Sequence, residues 1–464
     1  MLFNSFGFLL YFLPAVVVLY WVVPRGYPRL VFLIVASSLF YGLWDWRYLP
    51  LLYGTTLVDW LAGRFIARSG DARRRKLLLA GAIAVNLGLL AYFKYRGFFL
   101  DSLNGLAGLF GADEPLPVLK VLLPVGVSFY TFAAISYAVD VYRGMIRPAK
   151  SIVHYLAWAT LFPYLMAGPI IRYGHVGEQL ERAQQRFRLS LIGTGVFFLA
   201  MGLAKKLLLA DMMAPYVNKL FEHSSQLGLV SGWGAALGYT LQLYFDFSGY
   251  SDMAVGVAFM IGLRFPQNFD SPYKAQNPSD FWRRWHMSLS SWLRDYLYIP
   301  LGGSRGTTLA TVRNLLVTFL LAGLWHGPAW TFVFWGLLWG VFQSVHVLFR
   351  KWGLTPGWVW LNRLLTFLCA VVAWVFFRAL TMSQAFDVLG AMIGLNGVDG
   401  DKLRPLAPAL LGLIVFGLLW VNLAPNTWQI KPAPKLRYAV ALGILLGGSL
   451  LALSTPSPFL YFQF

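Results

Sequence analysis

Residues 309–349 read LATVRNLLVTFLLAGLWHGPAWTFVFWGLLWGVFQSVHVLF. Two apolar runs, 309–325 and 329–349, are each long enough to cross ~30 Å of hydrocarbon as a helix. Between them stands one histidine, His326, followed by Gly327 and Pro328, which break a helix. Irregular backbone at membrane depth is tolerated only inside a protein or beside a watery cavity. Local physics leaves two roles for His326: a structural histidine bonded to a neighbouring carbonyl, or a functional group in a polar cavity.

The same pattern runs through the chain. Of 464 residues, 58% are hydrophobic before the 45 glycines are counted, against ~45–50% with glycine included in soluble domains. Charged residues make up 12%, about half the usual ~25%. Mean hydropathy is +0.61. These figures exclude a soluble fold and predict an all-α, polytopic integral membrane protein of about 11–13 transmembrane or re-entrant helices. Further runs fall near 1–23, 29–44, 50–63, 77–93, 121–139, 152–171, 189–210, 229–247, 362–378, 406–424 and 437–453, several broken by proline, as at Pro14, Pro124 and Pro163. No internal repeat or linker divides 1–464, so the chain reads as one membrane domain: N-terminal helices over 1–120, a core over 121–349 and C-terminal helices over 350–464.

The net charge of +19 would point to nucleic acid in a soluble protein, but here basic residues set topology instead. Arg64, Arg68, Arg73, Arg74, Arg75 and Lys76 mark a cytoplasmic connection, with Arg25 and Arg29 on the same side. Lys94, Arg96 and Lys120 are balanced by Asp101, Asp113 and Glu114 in an external one. The N-terminus is then on the outer side of the membrane. The single cysteine, Cys369, excludes disulfides and thiolate clusters, and its apolar setting disfavours a nucleophilic role.

The least hydrophobic stretch is 264–306. It is too polar to span and too aromatic to lie free in water, so it should fold back against the bundle. Asp280 is the expected N-cap of a helix from Phe281, on which Arg283, His286 and Ser290 share a face. Trp282, Trp285 and Trp292 are expected on interfacial or lipid-facing sides. Upstream, QLYFDFSGYSD (242–252) holds Asp246 and Asp252 with Ser248 and Ser251, read as a polar network locking helices or as paired acids. The six histidines, at 154, 175, 223, 286, 326 and 346, show no metal-binding spacing, and no nucleophile elbow or phosphate loop is present. One or two histidines in a cavity suffice for attack of a hydroxyl on a thioester, a neutral imidazole taking the hydroxyl proton and returning it to the thiolate.

At these residues the sequence resembles the membrane-bound O-acyltransferase family, in the bacterial branch of alginate, peptidoglycan and cellulose O-acetylation and teichoic acid D-alanylation. The motifs are LPVGVSFYTFAAISYAVDVYRG (123–144), FPYLMAGPIIRY (162–173), LQLYFDFSGYSDMAVG (241–256), RFPQNFDSPY (264–273), DFWRRWHMSLSSWLRDYLYIPLGG (280–303), GLWHG (323–327) and the terminal PFLYFQF. The resemblance implies His326 as the catalytic histidine and His286 as a second, positioning or auxiliary base. It implies helices around a central tunnel, an acyl donor (acetyl-CoA or an acyl-carrier thioester) arriving from the cytoplasm as co-substrate, and no covalently bound cofactor. The implied partners are membrane lipid, an exported polysaccharide acceptor and a periplasmic SGNH-like acyltransferase. Arg294 and Asp295, with Trp285, Tyr296, Asp246 and Ser248, are expected to line the donor side, where the basic residues of 264–306 would attract an anionic donor. A polysaccharide transporter or flippase, or a non-catalytic assembly scaffold, is the competing reading.

Overall fold

A computed structural model describes residues 1–111, 116–117, 121–182, 186–398, 407–431, 435–454 and 457–460. Asp113, Glu114 and Lys120, and the last four residues of PFLYFQF, lie outside them. Among the described residues there are helices and turns and no strand. Six helical stretches are long and apolar enough to cross a membrane: Tyr27–Arg68, Ala72–Leu109, Leu189–Glu222, Thr308–His326, Trp330–Lys351 and Val359–Arg378. Gly7–Val22, Pro408–Leu423 and Leu436–Leu451 are shorter apolar helices. The chain is all-α and polytopic.

One apolar run behaves differently from expectation. Residues 152–171 form two short helices, Ile152–Ala159 and Phe162–Leu165, broken where Thr160 and Leu161 leave the helix ahead of Pro163. At 1.5 Å per residue the longer covers only about 12 Å and cannot cross.

The chain forms two compact units that exchange segments: Met1–Val196 with Ala254–Pro266, and Phe197–Met253 with Gln267–Phe464. In the first, Val127–Tyr142 is buried along nearly its whole length. Gly126 opens it at φ 80°, and a Cβ there would strike the Leu165 carbonyl oxygen. Asp59 and Asn86 join Leu49–Arg68 to Ala72–Leu90 by a buried 2.7 Å hydrogen bond. The basic run 73–76 begins a helix capped by Asp71, whose carboxylate accepts from the N–H groups of Arg73 and Arg74.

In the second unit, Thr308–His326 and Trp330–Lys351 form a tight helical hairpin. Gly323, Gly336 and Gly340 line the contact, and side chains at Gly323 or Gly336 would collide with the opposite backbone. Small residues at such a crossing let two membrane helices pack backbone to backbone. A second glycine contact, Gly202 against Gly249, brings the π-helical turn Ala204–Ala210 onto the long helix Leu229–Met260. There Lys205 meets Asp252 at 2.6 Å and Lys206 meets Asp246 at 2.6 Å, all four buried. Burying charge is tolerated only when it is paired in this way.

Candidate active site

His326 is the last residue of its helix. Gly327, just before Pro328, is extended at φ −159°, which ends the helix, and a Cβ there would run into the Phe332 ring. The imidazole is 4% exposed. Trp325, Trp335 and Phe377 meet it edge-on, with ring centroids 5.0, 4.9 and 5.1 Å away.

His286 arrives from the polar stretch, and here the structure corrects the expected helix. The N-cap is Asn277, not Asp280: its side chain accepts from the Asp280 N–H, while the Asp280 carboxylate accepts from the Gln276 N–H. Asp280 is thus the third helical residue of a capping-box-like start. The helix runs only Pro278–Arg284, and a second one, Met287–Leu293, begins after His286, which is left-handed at φ 41°. The chain turns between Arg283 and His286, so they do not share a face: Arg283 is 71% exposed and His286 fully buried. A non-glycine residue held left-handed stores strain, and such strain concentrates at functional sites.

Asn268 holds the His286 ring. Its Oδ1 accepts from the Ser288 N–H at 3.2 Å and the Ser288 hydroxyl at 2.8 Å, and lies 3.2 Å from His286 Nδ1. A backbone N–H can only donate, so the atom facing it is the amide oxygen, and Nδ1 must carry the proton. The lone pair of the neutral ring is then on Nε2, which makes no hydrogen bond among the described residues. Burial favours this uncharged form and pushes the pKa well below the ordinary histidine value. Asn268 Nδ2 donates to Ser251 Oγ at 3.0 Å, and Phe247 meets the His286 ring at 4.7 Å.

The two histidines converge on one indole. Trp325 lies with its ring centroid 6.3 Å from His286 and 5.0 Å from His326. Phe247, Ser251, Asn268, His286, Trp325 and His326 therefore meet in one buried, aromatic site.

The other expected site residues are placed differently. Trp282, Trp285 and Trp292 are buried rather than interfacial. Trp285 packs on Trp374, Phe269 and Phe281 next to His286. Lys206 and the Leu460 N–H engage the two oxygens of Asp246, tying the helix to residues near 460. Ser248 is buried on the same helix. Arg294 and Asp295 pair with each other at 2.7 Å on the turn Arg294–Tyr298, with Arg294 62% exposed and Tyr296 tilted against Trp292, ring centroids 5.3 Å apart. They occupy the open end of the segment that His286 begins. Sequence reading missed Asn268 as the ring holder, although it stands within a quoted motif. It missed Lys205 and Lys206 outright, hidden inside an apolar run.

The family model described as MBOAT, membrane-bound O-acyltransferase family, matches residues 148–383. The chain is 38% identical to the probable alginate O-acetylase of Azotobacter vinelandii over the whole of both sequences. It is 38% identical to the peptidoglycan O-acetyltransferase of Helicobacter pylori, covering 86% of this chain and 81% of that one. It is 28% identical to the teichoic acid D-alanyltransferase of Bacillus subtilis over 54% of this chain and 66% of that one. With the helical bundle and the two converging histidines already described, these matches show that the protein is a multi-pass membrane acyltransferase and belongs to the membrane-bound O-acyltransferase family.

Proposed function

We propose that the protein moves an acetyl group from a cytoplasmic thioester, acetyl-CoA or an acyl-carrier thioester, across the bacterial inner membrane. The receiving hydroxyl belongs to an exported polysaccharide or to a periplasmic SGNH-like acyl-transfer partner. The acceptor oxygen attacks the thioester carbonyl carbon as the His326 imidazole takes its proton. The tetrahedral intermediate collapses, the C–S bond breaks, and the thiolate leaves with that proton. One C–O ester bond replaces one thioester, and the enzyme is unchanged. His286, neutral with its lone pair on Nε2, orients the acceptor or shares the proton.

The observation that carries this reading is the convergence of two buried histidines on Trp325, one of them in a fixed tautomer. A charge developing in such a buried site is governed largely by fixed neighbours. Relatives named for alginate and peptidoglycan O-acetylation support acetyl as the group and a glycan as the acceptor. Basic connections such as 64–76 support a cytoplasmic face there and a periplasmic N-terminus.

Mass spectrometry of cell-surface glycans tests the proposal. A deletion strain carrying His326→Ala is expected to export its polymer at normal levels but without ester-linked acetate. Normal acetylation in that strain would overturn the reading, and loss of export with acetylation retained on residual polymer would favour a transporter.

A further inference from the structure

Away from the histidines, a cavity of about 380 Å³ opens between Trp330–Lys351 and Val359–Arg378, both candidate membrane spans. Its volume falls within the ~300–1,000 Å³ of small-molecule sites. The walls are apolar: Val341, Phe342, Val345 and Phe349 from one helix, Leu365 and Cys369 from the other. Val341, Val345, Phe349 and Leu365 are 40–47% exposed, so the groove lies open to whatever surrounds the spans. Its mouth is polar and basic. His346 lines the groove, Arg350 stands one turn beyond it on the same helix, and Arg283 is on the helix whose Pro278 also lines the groove. Asp280 offsets only part of this charge, since its one carboxylate pairs with both Arg284 at 3.1 Å and Arg283 at 3.6 Å and also accepts from the Gln276 N–H at 3.2 Å. The Lys351 ammonium bonds Thr308 Oγ1 at 2.7 Å, fixing another cation at the same end of the hairpin.

We propose that this groove binds one anionic phospholipid, its acyl chain between the two helices and its phosphate at His346, Arg350 and Arg283. An apolar trough that ends in clustered cations between two membrane helices has the complementarity that anionic headgroups select. A neutral lipid would fill the trough and leave the cations unmet. The rim residues Gln276 and Asn277 also start the helix Pro278–Arg284, and Ser279 Oγ donates to Gln343 Oε1 on the wall helix at 2.7 Å. The bound lipid therefore lies against the beginning of the segment that delivers His286.

The test is native mass spectrometry of the purified full chain from mixed micelles holding equal phosphatidylglycerol and phosphatidylcholine. One phosphatidylglycerol is expected to be retained over phosphatidylcholine by about tenfold or more. Val345→Trp, which fills the trough, and the pair Arg283→Gln with Arg350→Gln, which strips the mouth, should each abolish that preference with the unfolding midpoint unchanged. Equal retention of both lipids by the natural chain, or undiminished phosphatidylglycerol in either variant, overturns the proposal. Photo-crosslinking of a phosphatidylglycerol analogue to the unaltered chain is independent of variant folding. Adducts should map to 341–349 and 362–369, and adducts confined to other segments would contradict the site.

Discussion

The side-chain oxygen of Asn268 faces three donors, and one arrangement of protons satisfies all of them: the Ser288 N–H, the Ser288 hydroxyl and His286 Nδ1–H. Outer partners that fix a histidine's tautomer typically matter ~10–100-fold in activity. Asn268→Ala should therefore lower kcat by about 10–100-fold with KM little changed. Asn268→Asp, which keeps an acceptor for Nδ1–H, should retain more activity than the alanine variant. Steady-state kinetics on reconstituted protein checks both, and a KM effect with kcat intact would remove Asn268 from the positioning role. Part of this was legible in the sequence. His326 stands out because a glycine and a proline follow it between two apolar runs. The break before Met287 is not legible, because it is made by the histidine itself in a left-handed conformation, with no glycine or proline to mark it.

At the scale of elements, the two glycine contacts decide where the polar groups lie. The hairpin Thr308–His326 with Trp330–Lys351 could be read from its apolar runs, but the close approach at Gly323 and Gly336 could not, because glycine recurs all along the chain. The lysines were hidden for a related reason. A π-helical turn lets adjacent Lys205 and Lys206 both point inward, a geometry that the apolar residues around them conceal. Their acids, Asp246 and Asp252, were recognisable as a buried pair whose partners were unknown. The tryptophans of 282–292 misled, since an aromatic residue near charges reads as interfacial, whereas here Trp282 packs edge-on against Trp339 and Trp335, and Trp285 lies tilted against Trp374. Removing one partner of a buried ion pair costs about 3–5 kcal/mol. Lys205→Met should lower stability by about that amount, measured as unfolding in detergent. The double variant Lys205→Met with Asp252→Leu should recover most of the loss. If the single variant proved as stable as the natural chain, the pair would carry no structural weight.

For the whole molecule, composition settled the solvent, and the family matches then assigned the chemistry that composition could not. On the proposed orientation, much of the +19 charge sets topology. In a Cys369→Ser background, Ser69→Cys should react with a membrane-impermeant maleimide only after the inner membrane is opened; labelling in intact spheroplasts would invert the orientation. The central claim concerns chemistry across that membrane. Its most direct test uses purified protein in sealed vesicles with acetyl-CoA on the side of the 64–76 connection and an acceptor glycan or partner on the other. The natural chain should form an acetyl ester on the far side. His326→Ala should lower that rate by about 10²–10⁴-fold, the usual worth of a positioned acid–base group. A His326→Ala protein that transfers acetyl at the natural rate would contradict the account.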